Sequence, residues 1–521
     1  MYDYVIVGAG SAGCVLAARL SEDPTAKVLL LEAGPTDRKQ EVTIPAAFSK
    51  LFKTERDWDY ATVPQENLNG RRLYWPRGKM LGGSSSINAM MWVRGIPADY
   101  DAWAEAGCDG WSYDDVLPFF RKIEDAERDG GEHTGRGGPL PVCEQRDPNP
   151  ATLHFVEACV NAGFRRNANP NAGDNEGVSL AQVTQRRGAR ASTAWAYLRP
   201  AMKRPNLTVE TGALATRVVV ERGRATGVTY LRGGEIRTAR AEREVILAGG
   251  AVNSPQLLLL SGIGPADELR AVGVEPVVDL PGVGRNLSDH LAAGVVVSTS
   301  RTDTLVSAES LRHLLAYLFF RRGPLTSNVG EAHAFFRSDD SLSSCDLEFV
   351  FAPVPFLDHG QTDPPGHGLT IGVILLQPKS RGRITLASAD PTVPPLIDPN
   401  YLAEPEDLQA LVVGVRRAVE VFGTEPLASE VGEPLRPESF PADDAGWAQA
   451  IRAYAETLYH PVGTAKMGTD DDAVVDPELK VRGVEGLRVA DASVMPTLNR
   501  GHTNAPAIMI GERAAAMIVH G

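Results

Sequence analysis

The chain contains 521 residues, with a formal net charge of −14 and a hydrophobic content of 43%. This length exceeds what one ordinary hydrophobic core can use, so it predicts two domains. The negative charge argues against a nucleic-acid partner, which would require a basic surface, and no run approaches the roughly 20 apolar residues that span a bilayer.

The first elements along the chain form a βαβ unit. An apolar strand predicted over residues 4–7 enters the glycine-rich turn 8–13, a helix follows, and a second strand over 27–31 ends at Glu32. Glycines at this spacing let the backbone approach a pyrophosphate at the positive end of the helix, and the acid can accept a hydrogen bond from a ribose hydroxyl. The unit predicts a bound adenine dinucleotide, but it does not distinguish FAD from NAD.

Two later segments carry further features of a dinucleotide-binding sheet. Residues 244–250 read as a buried strand that enters a glycine turn, and an apolar helix is predicted over 256–260. Residues 487–490 read as a short strand that ends at Asp491. Because doubly wound sheets bind their ligands at such strand ends, we assign all three segments to one discontinuous Rossmann-like domain.

The region from about 300 to 455 has a different pattern. Alternating segments predict strands over 347–351, 369–376 and 383–386, followed by a helix over 407–422. We interpret this region as a substrate-binding domain built on a mixed or antiparallel sheet backed by helices. The predicted fold is therefore α/β (α+β overall), with the nucleotide domain over 1–150, 190–300 and 455–521 and the inserted substrate domain over 151–189 and 301–454.

An apolar helix with the sequence LRHLLAYLFF is predicted over 311–320, and Arg321 and Arg322 follow it. The favoured interpretation is a helix of the substrate domain that packs on the core. The alternative is a lid or a contact with a membrane surface, since apolar faces with flanking arginines suit interfaces. The sequence leaves both open.

Further motifs carry a resemblance to a known family. They are the Gly/Ser-rich loop 78–88, the segment 250–264, and the C-terminal segments 459–464, 491–496 and 501–506. With the turn 8–13 and Glu32, these motifs resemble the glucose–methanol–choline (GMC) family of FAD-dependent oxidoreductases over essentially the whole chain. The resemblance is closest to bacterial choline dehydrogenases and medium-chain alcohol dehydrogenases.

The resemblance implies that the dinucleotide is FAD. A helix predicted over 508–518 would aim its positive end at the flavin. Choline oxidases of this family attach FAD through a histidine at the position of Ile87, so we expect FAD to be non-covalent here. The expected cofactor-binding residues are Gly8, Gly10, Ser11, Ala12, Gly13, Glu32, Ala33, Gly82, Gly83, Ser84, Ser85, Asn88, Ala89, Val218, Asp491, Ala492, Thr503 and Asn504.

Two histidines are the candidate catalytic residues. The resemblance implies that His460 is the base and that His502 pairs with it across the substrate hydroxyl. Chemistry agrees, because oxidising an alcohol removes a hydroxyl proton as well as a hydride, here to flavin N5, and histidine accepts protons near neutral pH. Pro461 restricts the backbone of His460 to an extended conformation, which helps to fix its direction.

The expected substrate is a medium-chain or aromatic primary alcohol, which would be oxidised to the aldehyde. Choline oxidases place a glutamate just after the segment matching 295–297, whereas residues 298–300 are Ser-Thr-Ser here, and Val350 and Ala89 replace polar pocket residues. We therefore expect a substrate other than choline. The candidates for an apolar pocket wall, each also compatible with core packing, are Met91, Trp92, Val350, Phe351, Val354 and Phe356.

The electron acceptor is expected to be a quinone or another carrier. An oxidase that uses O2 and makes H2O2 is the first alternative, and a non-redox family member, such as a hydroxynitrile lyase or a flavin photoenzyme, is the second. A flavin-binding protein without catalysis is disfavoured, because the histidine pair would then have no role. The sequence does not predict the oligomeric state.

The expected location is the cytoplasm, with peripheral contact with the inner membrane left open. The first strand begins almost at Met1, which leaves no room for a signal peptide. The five cysteines are scattered and form no CxxC pair, which indicates a reducing compartment without a disulfide framework, a redox dithiol or a zinc site.

Overall fold

A computed structural model describes residues 1–520. Its first sheet has seven strands and draws them from the three parts of the chain predicted to form the nucleotide domain. Tyr2–Val7 lies at its centre, parallel to Val28–Glu32 on one side and to Glu235–Leu247 on the other. The strands are Tyr2–Val7, Val28–Glu32, Leu207–Thr211, Leu214–Glu221, Arg224–Arg232, Glu235–Leu247 and Leu487–Val489. The Rossmann-like prediction is confirmed.

The apolar N-terminal run forms a central strand because both of its faces are covered. Val5 and Ile6 are fully buried, as expected for a parallel strand between helical layers. The helices Ser11–Leu20 and Asn504–His520 pack against each other, and a Cβ added at Gly511 would lie 3.0 Å from Cα of Ala12. The glycine therefore permits two helices from opposite ends of the chain to pack in close contact.

The second sheet has six antiparallel strands and its own core. Leu291–Thr299 pairs with Gly368–Leu375, and the helix Pro405–Phe422 packs against the sheet. The predicted domain limits placed Leu291–Thr299 and Glu456–Thr457 in the nucleotide domain, but both pair within this sheet. The strands are Leu291–Thr299, Ala332–Phe336, Leu347–Ala352, Gly368–Leu375, Val431–Arg436 and Glu456–Thr457.

One predicted strand of this sheet lies elsewhere. Arg383–Thr385 pairs with Leu396–Asp398 in a separate two-stranded ribbon. The alternating pattern identified the strand correctly, but alternation alone does not specify the partner. The remaining strands are Tyr60–Ala61, Tyr74–Trp75, Glu124–Ala126, Leu140–Val142, Gly177–Leu180, Gln185–Arg186, Ala189–Arg190, Ile263–Gly264 and Val278–Asp279.

The helices connect and cover the two sheets. The predicted apolar helix 256–260 is the end of the longer helix Gly250–Leu260, and the C-terminal helix begins at Asn504 rather than at residue 508. The other α-helices are Gln40–Thr43, Pro97–Glu105, Tyr113–Ile123, Pro150–Asn161, Arg199–Ala201, Ala266–Ala271, Leu311–Phe320 and Asp444–Tyr454. The short 3-10 helices used below are Pro45–Leu51 and Gly83–Ser86.

The helix Leu311–Phe320 forms with the predicted limits, but it packs on the core only through Tyr317, which is 1% exposed. The favoured interpretation of a core-packed helix is therefore wrong for most of its apolar side chains. Within residues 1–520, no helix is both long enough and apolar enough to traverse a bilayer.

Candidate active site

A cavity of about 390 Å³ is lined by residues of both sheets. At one end lie the carboxyl-terminal ends of the first sheet's strands, represented by Val7, Leu31 and Leu247. At the other end lie side chains of the second sheet, such as Val296 and Val350. This is the strand-end position at which doubly wound sheets bind their ligands.

The glycine-rich turn forms the floor of the first end. Gly8 has φ +98°, and a Cβ there would lie 2.5 Å from the Ala248 carbonyl oxygen, so a side chain would collide with backbone. The buried Glu32 carboxylate accepts hydrogen bonds from the backbone N–H groups of Ala9 (2.9 Å) and Gly34 (2.8 Å). Burial raises the pKa of Glu32 to about 7 in spite of these bonds. The acid is thus held in place at the position expected for a ribose contact.

Two helix N-termini meet beside this turn. The hydroxyl of Ser11, at the start of Ser11–Leu20, donates to Oδ1 of Asn504, at the start of Asn504–His520, over 2.7 Å. Both residues line the cavity together with Thr503. Helix N-termini present unsatisfied N–H groups and partial positive charge, so the pair forms a surface suited to an anionic or electron-rich group.

The Gly/Ser-rich loop closes the cavity from the opposite side. Gly83 has φ +50° and approaches the glycine-rich turn so closely that a Cβ would lie 2.7 Å from Cα of Gly10. Asn88 is fixed through its Oδ1, which accepts from the Met90 N–H (3.1 Å) and from Arg190 Nη1 (2.8 Å). Residues of both motifs line the cavity, and their small side chains permit this close approach. Turn, helix ends and loop together fit an adenine dinucleotide.

Asp491 lines the cavity with its carboxylate already engaged. One oxygen accepts from the Gly250 N–H (2.8 Å) and the Ser254 hydroxyl (2.5 Å), and the other accepts from the N–H and hydroxyl of Ser493. Burial raises the pKa of this carboxyl group. Asp491 thus fixes the N-terminus of Gly250–Leu260 beside the cavity.

Most of the expected cofactor-binding residues line this cavity, and four do not. Gly13 packs on the Gly8 carbonyl, and the Ser85 hydroxyl donates to the Gly82 carbonyl (2.6 Å). The N–H of Val218 donates to Ser261 Oγ (2.8 Å), and 213–215 line the cavity in its place. The expected residues that line it are Gly8, Gly10, Ser11, Ala12, Glu32, Ala33, Gly83, Ser84, Asn88, Ala89, Asp491, Ala492, Thr503 and Asn504, whereas Gly13, Gly82, Ser85 and Val218 stand behind it.

His460 lies on a tightly braced loop at the other end of the cavity. Its N–H donates to Asp289 Oδ1 (2.7 Å), and the other oxygen of Asp289 accepts from the Thr457 hydroxyl (2.6 Å) and from Tyr401. Tyr459, directly before it, has φ +69°. These hydrogen bonds hold the backbone of the loop in place. The orientation of the His460 ring then depends on the side chains that contact it.

A buried third histidine, His290, lies directly behind His460 and was missed from the sequence. Its Nε2 lies 3.0 Å from the Leu376 carbonyl oxygen and its Nδ1 lies 3.0 Å from Nδ1 of His460. A carbonyl can only accept, so Nε2 of His290 carries the proton. Burial lowers the pKa of His290 to about 4, so the ring is neutral and its Nδ1 accepts from His460 Nδ1–H. The remaining nitrogen of His460, Nε2, then has a lone pair.

Burial also lowers the pKa of His460 well below its ordinary value, and the nearby His502 and His290 lower it further. The ring is therefore neutral at physiological pH. One local feature of the sequence points to His290, since Asp289-His290 directly precedes the apolar strand Leu291–Thr299. Its neighbour in space, His460, is 170 residues away, which no periodicity connects.

His502 is backed by a carboxylate. Its ring centroid lies 5.0 Å from that of His460, and its Nε2 lies 3.1 Å and 3.3 Å from the two oxygens of Glu348. Glu348 is fully buried, and His333 Nδ1 lies 3.5 Å from it. Burial alone would raise the pKa of Glu348, but attraction to His502 and His333 and the hydrogen bond from His502 lower it to about 2. The carboxylate is thus ionised, and it can only accept, so Nε2 of His502 carries a proton toward it.

The expected apolar wall is divided by the geometry. Met91, Val350 and Phe356 line the cavity, while Trp92, Phe351 and Val354 do not. Trp92 donates to Glu124 (2.8 Å), and Phe351 stacks on Phe155 in the second core with ring centroids 4.6 Å apart. Val350 and Phe351 are consecutive strand residues, so their side chains point to opposite faces. The wall is completed by Phe48, Phe52, Val296, Val329, Leu458 and Ile374.

The segment compared with choline oxidases also differs from the expectation. Ser298 lies outside the cavity lining and its hydroxyl donates to the Glu433 carbonyl (3.1 Å), whereas Ala292, Gly294 and Val296 of the same strand line the cavity. The wall that this strand contributes is therefore small and apolar.

Comparison with known proteins agrees with this geometry. Two family models, both described as GMC oxidoreductase, match residues 2–292 and 378–511. The chain is 45% identical to an alcohol dehydrogenase [acceptor] of Pseudomonas putida, over 100% of this chain and 96% of that protein. It is 43% identical to the mitochondrial choline dehydrogenase of Homo sapiens, over 99% and 89%. The crystal structure of pyridoxine 4-oxidase from Mesorbium loti matches with a TM-score of 0.92 and 32% identity, over all of both chains.

Proposed function

Because the chain belongs to the GMC oxidoreductase family and binds FAD, we propose that it oxidises a medium-chain or aromatic primary alcohol to the aldehyde. The coarser statement, an oxidoreductase that acts on alcohol-like substrates, follows from the relatives. The observation that carries the proposed oxidation of a primary alcohol is the histidine pair. A neutral imidazole and an imidazole beside a carboxylate face one apolar cavity 5.0 Å apart.

In this proposal His460 is the base. Its Nδ1–H is directed to His290, so Nε2 is the nitrogen with a lone pair for the substrate hydroxyl proton. A general base must lie within hydrogen-bond reach of the proton that it takes. His290 is a positioning residue, since it selects the tautomer of His460 without facing the substrate.

His502 supplies the complementary charge. With Glu348 ionised behind it, His502 holds a proton on Nε2 toward that carboxylate and presents Nδ1–H to the substrate oxygen. A donor placed before the reaction toward an oxygen that becomes negative stabilises that charge without reorganisation. The two imidazoles thus divide the work, with His460 taking the proton and His502 holding the oxygen.

Bound FAD supplies the acceptor for the hydride that leaves the alcohol carbon. The residues that would hold it are the glycine-rich turn, Glu32, the Gly/Ser-rich loop and the N-terminus of Asn504–His520. Ile87, at the position of the attachment histidine in choline oxidases, is apolar, which supports non-covalent binding. Acid precipitation tests this: the yellow chromophore should stay in the supernatant, and a coloured pellet would contradict it.

The lining supports an apolar substrate rather than a quaternary ammonium. Two further carboxylates of the lining are paired: Asp358 with Arg436 (2.9 Å), and Glu456 with Arg71 and with His359 (3.2 Å). The wall near the histidines is composed of aliphatic and aromatic side chains. An alkyl or aryl group would gain burial there, whereas a trimethylammonium group would meet carboxylates already neutralised by cations.

We further propose that the electrons pass to a quinone or a similar carrier. The support is the relative from Pseudomonas putida, named for an unspecified acceptor, at 45% identity. Use of O2 is the second candidate, favoured by the similarity to a solved oxidase at 32% identity.

The decisive experiment mixes the holoenzyme anaerobically with benzyl alcohol, furfuryl alcohol, C4 to C10 alkanols and choline while the visible flavin absorbance is followed. We expect bleaching by the apolar alcohols and little by choline. Air or a quinone analogue is then admitted, and the faster recovery identifies the acceptor. A flavin that every alcohol leaves oxidised would contradict alcohol oxidation and favour a non-redox member of the family.

A further inference from the structure

The helix Leu311–Phe320, here called the outer helix, presents an apolar face to solvent. Phe319 and Phe320 are 74% and 72% exposed, and Tyr317 anchors the opposite side with its hydroxyl 3.4 Å from the Thr43 carbonyl. Contiguous exposed apolar surface of this kind usually marks an interaction site. The exposed apolar residues are Leu311, Leu314, Leu315, Leu318, Phe319 and Phe320.

The surroundings of the outer helix are basic, although the whole chain carries a net charge of −14. Arg321 and Arg322 follow its last turn, and Arg322 Nη1 lies 3.4 Å from the carbonyl of the exposed Arg146. The turn that contains the exposed Arg186 and Arg187 is adjacent, since a Cβ at Gly188 would lie 2.9 Å from the Arg321 carbonyl.

The neighbouring acids are paired, Asp147 with Arg322 (2.8 Å) and Glu309 with Lys50. Because Asp147 neutralises Arg322, the positive charge beside the helix comes from Arg321 and from the exposed Arg146, Arg186 and Arg187. Arg312, within the outer helix, is exposed. An apolar face fringed by arginines is the pattern of a helix that lies in the interface of an anionic bilayer.

The outer helix also lies against the wall of the cavity. Tyr317 packs with Ala46 of the 3-10 helix Pro45–Leu51. Phe48 of the same 3-10 helix lines the cavity and contacts Phe356, with ring centroids 6.4 Å apart. A single short element therefore separates the outer helix from the cavity.

We propose that the outer helix docks this protein on the surface of an anionic phospholipid bilayer, with Phe319 and Phe320 in the acyl boundary and the flanking arginines at the phosphates. A helix of 10 residues can lie in the interface but cannot cross the bilayer. One consequence rests on the proposed function: docking brings the cavity wall close to alcohols and quinones dissolved in lipid.

The test is sedimentation of the FAD-loaded protein with two kinds of vesicle, phosphatidylcholine alone and phosphatidylcholine with about 30% phosphatidylglycerol. We expect binding to the anionic vesicles that weakens with added salt. Phe319→Ser with Phe320→Ser should lower the partition coefficient at least about tenfold, since the apolar contact is lost. Arg321→Gln with Arg322→Gln should lower binding to the anionic vesicles and leave the weak binding to neutral ones unchanged.

The matched control is Ile236→Ser, because Ile236 is 76% exposed but lies on a hairpin of the first sheet. Its vesicle binding should equal that of the unmodified protein. Retained flavin absorbance and an unchanged melting temperature show that each variant is folded.

The proposal is overturned if the protein stays in the supernatant, or if the phenylalanine variant binds as well as the parent. It is also overturned if gel filtration shows a dimer that this variant abolishes, since a second copy then covers the helix. Vesicle binding does not depend on catalysis, so failure here leaves the proposed alcohol oxidation unaffected.

Discussion

The two sides of the cavity place the same side chain in opposite surroundings. His460 is backed by a neutral imidazole, which in turn donates to the Leu376 carbonyl. His502 is backed by the buried carboxylate of Glu348 at 3.1 Å. One histidine therefore contacts a neutral imidazole and the other an ionised carboxylate, although the two ring centroids lie 5.0 Å apart.

Different neighbours allow one residue type to serve as both base and acid. A neighbour that can only accept at Nδ1 leaves His460 neutral with a free lone pair, while a carboxylate favours the protonated form of its partner. The role of each histidine is determined by the residue that contacts its ring, His290 or Glu348, rather than by the imidazole itself. Changing the backing residues should therefore alter the chemistry in different ways on the two sides.

Replacing His460 should have the largest effect on the reaction. In His460→Ala the rate of flavin bleaching by alcohol should fall about 10²-fold to 10⁴-fold, because the group that takes the hydroxyl proton is gone. FAD should stay bound, since the cofactor-binding motifs are untouched. Stopped-flow absorbance measures this rate. His154→Ala, which changes a histidine paired with Glu430 outside the cavity, is the control and should bleach normally. Near-normal bleaching in His460→Ala would remove it from the role of base.

The neutral side should be visible in the stability of the protein. Burial lowers the pKa of His290 from 6.5 to about 4 in the folded state, so the unfolded state binds a proton first as the pH falls. The contribution is fully present above pH 6.5 and is lost as the pH falls toward 4. The loss should reach about 3 kcal/mol, and His290→Gln should remove it.

Urea unfolding of the FAD-loaded protein at several pH values measures this effect. The difference between the parent and His290→Gln matters, because other titrating groups contribute equally to both. Parallel curves across this pH range would mean that His290 is not held neutral. Glu348 should act at lower pH, since its pKa of about 2 lies below its ordinary 4.5, and the stability it contributes is lost between those values.

Glu348→Gln tests the residue behind His502. The amide keeps the shape and a hydrogen-bond acceptor but removes the negative charge, so the environment of the substrate oxygen beside His502 is less well arranged for the reaction. We expect flavin bleaching by alcohol to slow about tenfold. Glu348→Asp keeps the charge and should restore part of the rate. A loss of the same size in Glu348→Asp would indicate a role in packing alone.

The predictable part of this molecule is the part that local patterns encode. Each predicted motif is a short continuous segment of the chain that contributes residues to the cavity lining: the turn 8–13, Glu32 and the segments around His460 and His502. His290 and Glu348, by contrast, lie far along the chain from the histidines that they contact. Glu348 lies 154 positions from His502 and sits on a strand that reads as ordinary core. Its partner His502 lies in the loop before the helix Asn504–His520, so this contact is set by the packing of the second sheet against that loop, which local sequence patterns do not specify.

The pocket wall shows the same limit at one strand. The alternation of the strand Leu347–Ala352 places Val350 on the same face as Glu348 and places Phe351 on the opposite face. The available signal was therefore the single charged residue Glu348, but one such residue does not by itself show that its face lines a cavity. Phe351 proved to be the core residue and Val350 the wall residue.

A substitution at Val350 should have the smallest effect, because it leaves both catalytic histidines and the residues behind them, His290 and Glu348, unchanged. Val350 lies two positions from Glu348 on the same face, so Val350→Phe narrows the cavity beside His502 without touching the ion pair. We expect kcat/KM for long or aromatic alcohols to fall several-fold relative to short ones, the usual effect of one hydrophobic contact in a pocket. Phe351→Leu is the matched control. It should lower the melting temperature through lost packing on Phe155 and leave the order of substrates unchanged. If Phe351→Leu instead reorders the substrates, the wall is formed by the other face of this strand.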